Sequence, residues 1–271
     1  MAGADGADGA DGADGADGAG GLALMGDERR VALVTGGSRG IGRRICRRLA
    51  ADGYAVAVGY ASGAEGAQRT VAEIEAAGGT ARAYRADQAE PAEVQALFAA
   101  VEGELGTPGL LVGNAGVLGE KNRVDAQTPE GIRRLVAVNV LGTILCAREA
   151  VLRMSTRHGG RGGTIVLISS VAARTGGLDG LVSYAATKGA LDSFVHGLSN
   201  EVAAEGVRVV GVAPGVVRSE MTTEFAEEAA RTQVPMRRIG EPEEIAEAVS
   251  WLASPAASFV TGTTVTVSGG R

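Results

Sequence analysis

The sequence predicts a single α/β domain: a doubly wound parallel sheet with helices on both faces. Three observations carry that expectation. From residue 30 onward, short apolar runs alternate with longer amphipathic stretches, and such alternation implies parallel strands joined by right-handed crossovers. The runs are continuously apolar, as in Val31-Ala32-Leu33-Val34, which suits strands covered on both faces. The 271 residues are ample for a large core. With 45% hydrophobic but only 3% aromatic residues, that core is aliphatic and rich in Ala and Gly.

Taken in order, residues 4–18 are five copies of Ala-Asp-Gly. A period of three builds no apolar face, glycine favours the unfolded chain, and the aspartates repel one another. A disordered tail is expected over 1–25 and the folded domain over 26–271, with Met25 a candidate alternative start. Strands are expected at 31–35, 55–60, 81–86, 109–113, 164–168, 207–213 and 264–267. Helices are expected at 41–52, 64–77, 91–104, 129–154, 182–204 and 241–253.

Net charge is −6, and the five aspartates of the repeat account for most of it. No basic face is expected, and few aromatics leave no stacking platform, so nucleic acid is not an expected partner. Cys46 and Cys146 are isolated within apolar helical patterns, which fits neither a disulfide framework nor a metal motif; a cytoplasmic protein is expected. His158 and His196 also stand alone, as surface or packing residues rather than ligands. No uninterrupted run of 18 apolar residues occurs, so no membrane helix is expected. A basic start and an apolar run are both missing from the N-terminus, so no signal peptide is expected either.

Two stretches carry chemistry. The first strand runs into Thr35-Gly36-Gly37-Ser38-Arg39-Gly40-Ile41-Gly42. Glycines there let the backbone approach a pyrophosphate, and the helix that follows favours negative charge at its N-terminus. The second stretch runs from Gly163 to Leu191. An apolar strand ends at Ser169-Ser170, and a helical pattern beyond a Gly-rich loop holds Tyr184 and Lys188, four apart and so on one face. A free tyrosine, with a pKa near ~10, is a poor proton shuttle at neutral pH. A Lys ammonium roughly 4 Å away stabilises the phenolate by about 4 kcal/mol at an effective dielectric near 20, but by only about 1 kcal/mol in water. The pair therefore acts only in a partly dehydrated cleft. The chain has two lysines, Lys121 and Lys188, among its 26 Lys and Arg. A lysine inside this motif is thus a chosen residue.

These motifs, with Gly113-Asn114-Ala115-Gly116, Asn139 in Val-Asn-Val-Leu-Gly, and Pro214 to Ser219, occur in the order found in the short-chain dehydrogenase/reductase family. The resemblance covers residues 30–271. It implies a Rossmann-type nicotinamide-dependent oxidoreductase with four catalytic residues. Tyr184 would transfer the proton, Ser170 would orient the substrate oxygen, Lys188 would bind the ribose and lower the tyrosine pKa, and Asn139 would hold a helix kink and a relay water. It also implies a cofactor bed. Gly36, Ser38, Arg39, Gly40, Ile41 and Gly42 supply the turn, and Asn114, Ala115 and Gly116 lie behind it. Asp87 meets the adenine. Tyr184, Lys188, Pro214, Gly215, Val217 and Ser219 surround the nicotinamide. A homotetramer joined through 129–154 and 182–204 is the family habit. The sequence departs from the family pattern at several points. Gly113 replaces an Asn and should loosen a hydrogen bond behind the cofactor. The Ser-to-Tyr spacing is one residue longer than usual, so a bulge is expected at 171–183. Ser219 replaces a Thr, and Ser268 replaces an Asp.

An acid at the end of the second strand marks NAD by bonding the ribose 2′-OH. Here that strand ends Gly59-Tyr60-Ala61-Ser62, without one. Arg39 could face a 2′-phosphate, with Tyr60 and Ser62 lining the same place, so NADP(H) is expected. The substrate is a small-molecule ketone or 3-oxoacyl compound. The alternatives are a sugar or polyol dehydrogenase running oxidatively, and a catalytically idle NADP-binding regulator. Carrier-protein reductases usually have a basic residue where this chain has Glu205, which turns the expectation towards a free small molecule. Leu178, Leu181 and Val182 are expected as an apolar wall. Met221, Phe225, Val234 and Met236 are an apolar lid or else packing. Lys121-Asn122-Arg123 is a holder of an anionic tail or else a solvated loop.

Overall fold

The computed structural model describes residues 30–218 and 226–271; the expected tail, together with Met25, Ser219, Met221 and Phe225, lies outside them. Seven strands form one parallel sheet: β1 (Val31–Val34), β2 (Ala55–Tyr60), β3 (Thr80–Arg85), β4 (Pro108–Gly113), β5 (Gly163–Ile168), β6 (Val207–Pro214) and β7 (Thr264–Val267). Their order is β3-β2-β1-β4-β5-β6-β7, so the chain reverses direction across the sheet between β1 and β4.

Alternate residues of each strand serve opposite faces. On one face Ala32 and Val34 meet α1 (Gly40–Ala51), α2 (Ala64–Ala76) and α9 (Pro242–Ala253) through Ile45, Val71 and Val249. On the other, Val31 and Leu33 meet α3 (Pro91–Glu104), α5 (Thr143–Met154) and α7 (Val182–Val202) through Phe98, Met154 and Val195. Cys46 lies in the first layer and Cys146 in the second. Both are buried, and burial pushes both thiols up. The continuous apolar pattern holds for the inner strands. At the sheet edge β3 breaks the pattern, with Arg82 and Arg85 exposed, because an edge strand is covered less than the inner ones.

The run expected as one helix at 129–154 has three parts. Pro129–Val136 (α4) and α5 flank a π-helical segment, Ala137–Gly142. Gln88 explains the break. Its Nε2 donates to the Val138 carbonyl at 2.8 Å, drawing that carbonyl out of the ladder. A Cβ at Gly142 would lie 2.6 Å from the Gln88 carbonyl oxygen, so only glycine passes there. By length and composition this 26-residue run is long and apolar enough to cross a membrane, although no uninterrupted apolar stretch was expected. Half of its most apolar window is buried, and the core accounts for that half. Val136, Leu141 and Leu152 are the large apolar side chains that the run leaves exposed.

Two further helices were not expected. Ala172–Thr175 (α6) is a single turn after β5, and Ala226–Gln233 (α8) follows β6.

Candidate active site

At the carboxyl ends of the strands, over the β1–β4 switch point, lies a cavity of about 360 Å³. This is where open α/β sheets bind ligands. Gly36 has φ +67°, and a Cβ on it would lie 2.9 Å from the Ala115 Cα. A Cβ at Gly42 would lie 2.1 Å from the Gly36 carbonyl oxygen. The two glycines let the turn fold tightly against α1. Thr35 Oγ1 accepts from the Asn114 and Ala115 amides at 3.1 and 3.0 Å, and Asn114 Nδ2 donates to the Thr35 and Gly36 carbonyls. The turn is thus pinned to the segment after β4. Helix α1 starts after Arg39 with no side-chain cap and no acid in its first turn. Its first amides therefore remain open to an anion. Ser38, Arg39, Gly40 and Ile41 line the cavity with them. At Gly113 a Cβ would lie 2.7 Å from Leu167 Cδ2. The volume that an Asn would need is core, and the turn is held through Asn114 and the Ala115 amide.

One end of the cavity is lined by Arg39, Tyr60, Ala61, Ser62 and Asp87. Burial by itself would raise Asp87, but the Ala89 amide and the Arg134 guanidinium outweigh it and hold its carboxyl below the usual range. Those bonds are 3.0 and 2.8 Å. Both carboxylate oxygens are thus engaged, and Arg134 itself lines the cavity. Nothing in its helical pattern announced that, because the contact spans 47 residues.

At the other end are Ser170, Tyr184, Lys188, Pro214, Gly215 and Val217. Ser170 lies two residues beyond β5 and accepts from the Ala172 amide at 3.1 Å, which fixes its hydroxyl oxygen at the start of α6. Tyr184 and Lys188 lie one turn apart on α7. Burial raises the Tyr184 pKa, opposed by a hydrogen bond from the Ser170 side chain. The phenol is therefore held protonated, the opposite of the lowering expected from Lys188. The Lys188 Nζ donates to the Ile168 carbonyl at 2.8 Å and sits 5.7 Å from the Tyr184 ring centroid. Lys188 itself is lowered to about 8 by burial, with Asp192 opposing.

Asn139 does not line the cavity among the described residues; it stands one layer behind, in the π-helical segment. Its Oδ1 accepts from the Val117 amide at 2.9 Å. Its Nδ2 donates to the Val117 carbonyl and to Thr187 Oγ1 at 2.9 and 3.1 Å. It therefore ties the segment after β4 to the helix bearing Tyr184. Gly116 fits between: a Cβ there would lie 3.3 Å from Asn139 Oδ1 and 3.6 Å from Lys188 Nζ.

The bulge expected at 171–183 is instead helix α6 followed by Gly176, Gly177 and Gly180, all at positive φ. Leu178 and Leu181 line the cavity, whereas Val182 is exposed outside it. Val234 packs with Val216, Ala230 and Ile239, and Met236 is exposed. Lys121, Asn122 and Arg123 do not line the cavity. Glu205 takes a 2.5 Å hydrogen bond from Ser155 Oγ. Gln88, Val117 and Arg271 line the cavity without any sequence signal.

A glycine-rich turn over an uncapped helix, with a hydroxyl, a phenol and an amine gathered beside it, is the site of a dinucleotide-binding oxidoreductase. A family model described as enoyl-(acyl carrier protein) reductase matches residues 36–271. The uncharacterized oxidoreductase YgfF of Escherichia coli K12 is 44% identical over 245 residues, covering 89% of this chain and 99% of that protein. A short-chain dehydrogenase of Burkholderia cenocepacia J2315, solved with NADP, is 36% identical. It superposes with a TM-score of 0.83, covering 90% of this chain and 97% of the other. A 3-ketoacyl-(acyl-carrier-protein) reductase of Brucella melitensis, solved with NADH, is 34% identical with a TM-score of 0.83, covering 90% and 98%. The chain belongs to the short-chain dehydrogenase/reductase family.

Proposed function

We propose that the protein reduces the carbonyl of a small molecule to an alcohol using NADPH, with Tyr184 as proton donor. The observation that carries this reading is that Ser170, Tyr184 and Lys188 gather at the wall of one cavity, with Lys188 Nζ 5.7 Å from the Tyr184 ring centroid. The glycine turn suits a dinucleotide, since side chains at Gly36 and Gly42 would fill the cradle. When bound, the nicotinamide supplies the hydride. A substrate oxygen between the Ser170 and Tyr184 hydroxyls receives two hydrogen bonds, and the tyrosine proton moves to it. Lys188, while charged, then favours the tyrosinate electrostatically.

The choice of NADPH rests on residues 39 and 60–62, because solved relatives carry NADP in one case and NADH in another. Glu205, tied to Ser155 where carrier-protein reductases have a basic residue, supports a free small molecule as substrate. The exposed apolar residues of 129–154 support a homotetramer, and two buried, unpaired cysteines fit a cytoplasmic protein.

The test is NADPH consumption over β-ketoesters, acyl thioesters, quinones and sugars. Tyr184→Phe should bind NADPH unchanged and lose at least ~100-fold in turnover. Retention of more than a tenth of the activity would place the proton donor elsewhere.

A further inference from the structure

The chain doubles back after β7. Gly269 and Gly270 have φ +64° and +97°. The Met236 amide donates to the Gly269 carbonyl at 3.1 Å, and Ser268 Oγ donates to the Arg271 carbonyl at 2.8 Å. The Gly215 amide donates to the Val267 carbonyl at 3.0 Å, which ties this turn to the loop after β6. Arg174 on α6 bonds Thr266 Oγ1 at 2.7 Å and braces it from the other side. The result is that Arg271 lines the cavity beside Ser170 and Val216, on the β6–β7 side of the sheet. The uncapped α1 and the Asp87–Arg134 pair lie on the β1–β2 side.

Arg271 is half-buried, and its guanidinium has no carboxylate partner among the described residues. Arg134, another arginine of the lining, is paired with Asp87. Asp87 is also the only carboxylate among the described lining residues. Among the described lining side chains the substrate end therefore presents two cations, Lys188 and Arg271, and no acidic one, in a chain of net charge −6. Leu178, Leu181 and Val216 line the same cavity as Arg271 and Tyr184 and give it apolar wall. Burial moves Arg271 below its ordinary value with no charged neighbour opposing it. A half-buried guanidinium with no carboxylate side chain beside it among the described residues can take an anionic group, and its planar fork matches a carboxylate or phosphate.

We propose that Arg271 is a specificity-determining residue that selects substrates bearing an anionic group, separated from the reacting carbonyl by a short apolar spacer. The inference rests on the carbonyl-reductase reading and names its substrate class. A charge-assisted contact of this kind is worth about ten- to a hundredfold in affinity.

The experiment compares 3-oxo to 6-oxo carboxylic acids with their methyl esters at saturating NADPH. The expected result is an acid-over-ester preference in kcat/KM of at least about tenfold at one chain length. Arg271→Gln collapses that ratio towards one, Arg271→Lys restores part of it, and the KM for NADPH stays put. Equal use of acids and esters by the wild type overturns the proposal. So does a ratio unchanged in Arg271→Gln, or a loss confined to the KM for NADPH, which assigns the guanidinium to the cofactor. If the wild type reduces neither class, the reductase reading fails. Calorimetry of the same carboxylates with the NADP⁺-loaded protein then decides the anion site alone. Binding at least tenfold weaker in Arg271→Gln supports it, and equal binding overturns it.

Discussion

Among the described residues Lys188 makes no ion pair; its Nζ donates to the Ile168 carbonyl at 2.8 Å, and burial brings it to about 8. At pH 8 it is half charged in the cofactor-free protein. Ribose hydroxyls and a nearby polyanion favour the charged form, so its pKa rises on binding and the complex gains protons. NADPH binding at pH 8 should therefore take up a fraction of a proton, read by calorimetry in buffers of different ionisation enthalpy. Uptake should fade towards pH 6, where Lys188 is already charged. Proton release, or none at pH 8, would contradict the assignment. Lys188→Arg keeps a charge but substitutes a wide fork for a compact amine; it should lose most activity and abolish the uptake. At the far end of the cavity, Arg39 offers the 2′-phosphate a charge-assisted bond, worth about tenfold or more. NADPH should be preferred over NADH by at least about tenfold in kcat/KM, and Arg39→Ala should remove most of that. Ala61→Asp should reverse it by repelling the phosphate. Equal use of both cofactors by the wild type would leave Arg39 without this role.

Among the elements, the strands and long helices were legible because each must bury a continuous apolar face, and that leaves a period in the sequence. Helices α6 and α8 were not. One turn, Ala-Ala-Arg-Thr between a strand and glycines, has no period to read, and α8 sits in a stretch expected as a loop. The π-helical segment escaped for a different reason. Its cause is Gln88, some fifty residues away, and long-range partners leave no local pattern. The same holds for Arg134 and Arg271 in the cavity, whereas Ser170, Tyr184 and Lys188 were legible because strand and helix spacing alone brings them together. The glycine turn is the element most sensitive to change. Gly42→Ala puts a Cβ 2.1 Å from the Gly36 carbonyl oxygen and 2.5 Å from Asn114 Nδ2. The backbone must move, at a cost of about 1–3 kcal/mol. A lower Tm and at least tenfold weaker NADPH binding are expected. Unchanged binding would show that the turn is not the cradle.

For the whole molecule, the surface of α4, the π-helical segment and α5 poses a question of partnership. Val136, Leu141 and Leu152 face solvent there, with Val182 exposed at the start of α7. Apolar residues grouped on packed helices usually mark an interface. A tetramer through these helices predicts that Leu141→Arg lowers the mass in light scattering to that of a dimer or monomer. Retention of the full assembly would place the interface elsewhere.

The two thiols, finally, make the sheet's layers separately observable. A buried, protonated cysteine reacts with an alkylating agent only while its surroundings are open, so its labelling rate reports local opening. Cys46 lies beneath the glycine turn, where a Cβ on Gly37 would touch its Sγ at 2.8 Å, and Cys146 lies in the opposite layer. A ligand seated on the turn should slow the labelling of Cys46 more than that of Cys146. Each native protein thus carries its own pair of chemical clocks, one per layer, with no label to engineer.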